Sequence, residues 1–179
     1  CSSDLGHPGL WHLCLMTIKI LGGSVLSMQW FHLAVASFSV FLVVRYAPFT
    51  WLQKFLFAFG YYTFYEYAII SRNYAIGVVL IFALCVLHKN RHEKFIFISV
   101  LLLLLSQTNV YGLIFSIAYF FSLIMEVIFK KTTETKNNKK RVQLYAGLFL
   151  IVIGILFSVY QIMPPPDQNM LSGWHFRFG

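Results

Sequence analysis

Val110–Phe129 reads VYGLIFSIAYFFSLIMEVIF, and Glu126 is its only charged side chain. A helix rises about 1.5 Å per residue, so a run of roughly 20 apolar residues matches the hydrocarbon thickness of a bilayer. The run ends at Lys130-Lys131, and Lys136, Lys139, Lys140 and Arg141 follow before the next apolar stretch begins at Leu144. An apolar span that opens onto a basic segment is how a membrane helix meets the cytoplasm.

The rest of the chain repeats this arrangement. Spans are expected at Val25–Val44, Trp51–Ile70, Tyr74–Leu87, Phe95–Leu105, Val110–Phe129 and Leu144–Met163, the last stopped by Pro164-Pro165-Pro166. The expected fold is therefore all-α: a polytopic transmembrane bundle of about six spans. Residues 1–24 form an outer loop and juxtamembrane helix, 25–129 five spans, 130–143 a basic cytoplasmic loop, 144–163 the sixth span and 164–179 an outer loop. Within 1–24, Leu10, Leu13, Cys14, Thr17, Ile20 and Leu21 recur at helical spacing. That stretch is too short to cross and suits an amphipathic helix lying in the interface.

Composition agrees. Of 179 residues, 59% are hydrophobic and 11% charged, with a mean hydropathy of +0.72. Soluble domains carry about a quarter charged residues. The net charge of +8 would suit nucleic acid if it lay on one face, but the cations fall in short runs between apolar stretches. We read them as topology signals, and nucleic acid as no partner. Arg45 and Lys54, then Lys89, Arg91 and Lys94, then the 130–141 group occupy alternate turns. These turns are inside by the positive-inside rule. The other face collects His7, Glu66, Arg72, Asn109 and Asp167.

Two expected spans, Tyr74–Leu87 and Phe95–Leu105, are short. Their polar ends, at Ser71-Arg72 and Ser106–Asn109, either line a cavity or reflect a locally thinned membrane, since polar groups at that depth must face protein or water. Glu66 and Arg72 are the most informative pair, because ionisable residues at membrane depth are costly and tend to be paired or functional. Arg72 could fork a phosphate; the plainer reading is an interfacial pair within a tyrosine belt. Glu126 is expected to reach the inner interface near Lys130, and His32 to make a helix–helix hydrogen bond. Cys85 is expected as a small buried hydrophobe. Cys1, Cys14 and Cys85 have neither disulfide nor zinc spacing. No nucleotide-binding or hydrolase motif is present.

Three stretches carry a family resemblance. Gly6-His7-Pro8-Gly9-Leu10-Trp11-His12-Leu13 resembles the His-Pro run on the outer juxtamembrane helix of polytopic GT-C glycosyltransferases, specifically the protein-mannosyltransferase and aminoarabinose-transferase-like group. Tyr67, Ser71, Arg72, Tyr74 and Ala75 are similar to a Tyr-Ser-x-x-Ala-Arg-Pro-Tyr-Ala run two spans later. Ser106–Gly112 resembles a Leu-Thr-His-Tyr-Tyr-Gly run between later spans. Gly9, Asn73 and Asn109 depart from the second Pro, the Pro after Arg and the His of those patterns.

The resemblance implies an inverting transfer of a sugar from a polyprenyl-phosphate donor to an acceptor on the outer side. Arg72 would support the leaving phosphate, and His7, Glu66, Tyr74 and Asn109 would line the substrate and donor-phosphate site. The family's catalytic carboxylate lies upstream of the His-Pro run, so the chain is expected to be a piece of a longer protein with its general base outside it. No cofactor is called for by the residues; a divalent metal is the one candidate. Expected partners are the bilayer and the lipid-linked sugar, in a bacterial inner membrane or the endoplasmic reticulum. A transporter or channel segment, or a non-catalytic scaffold, are the alternatives.

Overall fold

A computed structural model describes residues 9–61, 63, 74–91, 93–129 and 138–162. The described residues form seven α-helices: α1 (Leu10–Ile20), α2 (Val25–Tyr46), α3 (Trp51–Ala58), α4 (Tyr74–His88), α5 (Phe95–Ser106), α6 (Val110–Phe129) and α7 (Asn138–Ile162). No described residue is in a strand.

Three of these helices are long and apolar enough to cross a membrane: Leu26–Tyr46 of α2, all of α6, and Val142–Ile162 of α7. This is fewer than the six expected. With 15 and 12 residues, α4 and α5 reach only about 22 and 18 Å at 1.5 Å per residue. The expected second span, Trp51–Ile70, begins as α3, which ends at Ala58; residues 64–73 lie outside the described set.

Local chemistry explains several boundaries. Ala47, which precedes Pro48, takes extended angles (φ −71°, ψ 138°), as a residue before proline prefers. Next, α3 opens with a reciprocal capping box: Thr50 N–H donates to Gln53 Oε1 (2.9 Å) and Gln53 N–H to Thr50 Oγ1 (3.4 Å). The end of α3 is closed by the Thr63 hydroxyl, which donates to the Phe57 carbonyl with the Ala58 and Gly60 carbonyls close by. Asn138 starts α7 six residues before Leu144, where the expected basic loop of 130–143 would have ended. Lys, Arg and Gln are good helix formers, so the polar lead-in continues the helix below the apolar run.

The core lies around α5. Phe95, Ile98, Ser99, Leu102, Leu105 and Ser106 are buried, a 3–4 residue period that puts one face against α4, α6 and α7. Leu80 and Leu84 of α4, Leu123 of α6 and Ile151 of α7 complete the apolar cluster. The most extensive packing is α5 on α7, made close by two glycines. A Cβ at Gly147 would fall 2.5 Å from Ser99 Oγ and 2.6 Å from Phe95 Cε1, and one at Gly154 would fall 3.0 Å from Leu103 Cγ. Small residues at a helix crossing let backbones approach in this way. One face of α5 is thus buried among its neighbours, while Phe97 on the other face is exposed.

The outward faces are apolar. Phe97, Phe149 and Leu156 are 68%, 68% and 64% exposed, with Trp30, Phe41, Ile114, Phe121 and Phe157 also exposed. Cys85 is exposed rather than buried. The inward positions of α4 are Ala75, Gly77, Leu80 and Leu84, and the residue after Leu84 turns about 100° away from them.

Candidate functional site at the Asn109 end of the bundle

The α5–α6 connection is three residues, Gln107-Thr108-Asn109, all buried. Ser158 and Gly154 of α7 are its partners. The Ser158 hydroxyl donates to Ser106 C=O (2.6 Å) and Gln107 Nε2 donates to Gly154 C=O (2.9 Å). Ser158 precedes Ile162 by four residues, so the Ser106 carbonyl lies about 6 Å before that end of α7. Thr108 Oγ1 donates to Leu105 C=O (2.7 Å). These polar groups find protein partners, as irregular backbone would need at membrane depth.

Asn109 caps α6: its Oδ1 accepts from Gly112 N–H at 2.7 Å. Gly77 of α4 passes close by, where an added Cβ would lie 3.4 Å from Thr108 Oγ1 and 3.7 Å from Asn109 Nδ2. Tyr74, the first residue of α4 and half-buried, meets Tyr111 with ring centroids 6.5 Å apart and planes at 53°. The start of α1 comes to the same place. Leu10 N–H donates to Gln107 C=O (3.2 Å) and Gly9 N–H to Gln161 Oε1 (3.1 Å). One residue on, Trp11 stands edge-on to the buried His32 of α2, centroids 5.7 Å apart. Cys14, further along α1, has its thiol pKa pushed up by burial.

Of the five residues singled out from the sequence, Tyr74 and Asn109 come together here. His7, Glu66 and Arg72 lie outside the described residues. Gln107, Gln161 and His32 were not singled out as site residues; a glutamine at the break and another one turn before Pro164-Pro165-Pro166 were the available signals.

The opposite end carries a polar cluster that the sequence reading did not anticipate. Arg91 forks Glu126, with Nε donating to Oε2 (2.8 Å) and Nη2 to Oε1 (2.7 Å). The hydrogen bond to Glu126 raises the Arg91 pKa, holding the guanidinium still more firmly charged. Beside it, His88 Nδ1 and the Tyr119 hydroxyl share a 2.7 Å hydrogen bond. Glu126 is thus held by the α4–α5 connection; Lys130, its expected neighbour, lies outside the described residues. Among the described residues no three His, Cys, Asp or Glu gather as a metal site would need. Comparison of the chain with protein-family models, with curated proteins and with solved structures gives no match.

Proposed function

We propose that this chain is the membrane core of a GT-C-like glycosyltransferase. It would move a sugar from a polyprenyl-phosphate donor to an acceptor on the outer side, with the Asn109 end facing outward. In this reading α4, α5 and the segment beginning with α3 complete a bundle of about six spans, with α4 packed on α2 and α5 on α6 and α7. Exposed Phe, Leu and Ile side chains on α2, α6 and α7 face lipid, where they carry no hydration cost.

One observation carries the reading. The described parts of the three stretches of the family resemblance, distant in sequence, meet at one end of the bundle. Leu10 bonds Gln107, Tyr74 meets Tyr111 and Gly77 packs on Thr108 and Asn109. Leu10 is 97 residues from Gln107, so chain continuity alone does not bring them together. A transport segment would instead need the Ser106–Asn109 break to line a water-filled path, and its groups are bonded to protein.

In the proposed reaction a general base outside the chain takes the proton of an acceptor hydroxyl. The oxygen bonds to the anomeric carbon from the face opposite the phosphate. The carbon–oxygen bond to phosphate breaks, and its electron pair leaves on the phosphate, giving inversion. Arg72 supports that charge, with His7, Glu66, Tyr74 and Asn109 around the donor. Arg72→Ala in the complete protein is expected to lower transfer roughly 100-fold at unchanged expression, the usual size of losing one charge-stabilising donor. Unchanged turnover would remove Arg72 from the mechanism.

A further inference from the structure

The first N–H groups of an α-helix have no partner within it and need a cap. In α1 the first intrahelical bond is Leu13 N–H to Gly9 C=O (2.9 Å). Gly9, at the N-cap, has no side chain to offer, and no side-chain cap is made within the segment. Two of its leading donors are satisfied from elsewhere in the molecule: Gly9 N–H by Gln161 Oε1 on α7 (3.1 Å), and Leu10 N–H by the Gln107 carbonyl (3.2 Å). Both acceptors belong to the Asn109 end.

The other end of α1 closes on itself. Gly22 adopts φ +77°, and Gly22 N–H and Gly23 N–H return to Lys19 C=O (3.0 Å) and Ile18 C=O (2.9 Å), the Schellman pattern. A Cβ on Gly23 would lie 2.6 Å from Ile18 Cγ2. No residue of α1 is fully buried, and Leu13, Met16 and Ile20 are exposed. What packing α1 has is at its start, Leu10 against the core and Trp11 against His32, so its seat is decided at its N-terminus.

We infer that Gln161 is a positioning residue. With the Gln107 carbonyl it forms an external cap that seats α1 on the outer end of the bundle. Its importance for catalysis rests on the proposed transfer function; the seat itself does not, and it is tested without turnover.

The test is hydrogen–deuterium exchange on the full chain in lipid nanodiscs, comparing a peptide over residues 9–16 with one from α6. Gln161→Leu removes the acceptor and should speed exchange in 9–16 roughly fivefold, about the effect of losing one helix cap, with α6 unchanged. Gln161→Glu keeps an acceptor oxygen at the same reach and should return exchange to near the wild-type rate. The inference fails if Gln161→Leu leaves 9–16 unchanged. It also fails if exchange rises equally in α6, or if Gln161→Glu exchanges as fast as Gln161→Leu.

Discussion

Gly112→Ala is expected to destabilise the bundle by about 3 kcal/mol, at the top of the range for overpacking a close contact. Gly112 lies in the first turn of α6, tight against the end of α5. An added Cβ would strike the Leu105 carbonyl oxygen and sit 2.5 Å from Thr108 Oγ1. The first of these is backbone, so no rotamer change relieves it. The Thr108 hydroxyl is already committed to that same Leu105 carbonyl, so moving it breaks a buried hydrogen bond. The Asn109 cap depends on the Gly112 N–H as well. Gly9→Ala, where nothing lies within 4 Å of the new methyl group, is the control and should change stability by under roughly 0.5 kcal/mol. Thermal unfolding in detergent micelles compares the two; equal melting points would contradict the tight α5–α6 turn.

The second large effect is at the opposite end. Arg91 and Glu126 are each about one-fifth exposed (22% and 20%), and their fork ties the α4–α5 connection to α6. Removing one partner leaves a desolvated charge, which costs about 3–5 kcal/mol when the pair is fully buried. Partial exposure lowers that to about 2 kcal/mol. Arg91→Leu and Glu126→Leu should each cost this amount, while the double variant should cost clearly less than their sum, because neither charge is then stranded. A double-mutant cycle on unfolding free energy measures the difference. Strict additivity would mean that the fork contributes no coupling.

Much of the helix pattern was legible because hydropathy and punctuation agree. α6 begins and ends where the apolar run does, since Asn109 precedes it and Lys130 follows it. Gly22-Gly23 marks the stop of α1 because a left-handed residue is needed there. The Trp51–Ile70 run was harder. Apart from Gln53 and Lys54 its first half is apolar and aromatic, so hydropathy joins it into one span; α3 ends at Ala58, and residues 64–70 lie outside the described set. Tertiary pairing was not legible at all. Arg91 and Glu126 are 35 residues apart, and Ser158 and Ser106 are 52 apart. Periodicity identifies which face of a helix is apolar, but not which polar group on another helix will meet it. The candidate site was legible as three separate stretches; their contact at Gln107 and Tyr111 depends on how α1, α4 and α5 pack.

The central claim is that lipid-linked sugar phosphate binds at the outer, Asn109 end. Its most direct test is photo-crosslinking of the full chain in bilayers, using a polyprenyl-phosphate sugar with a photoreactive group on the isoprene nearest the phosphate. The account predicts adducts at Leu10, Trp11, Tyr74 and Tyr111, competed away by unlabelled donor but not by the free polyprenol. Adducts confined to the Arg91 end, or labelling that the free polyprenol competes equally well, would contradict it.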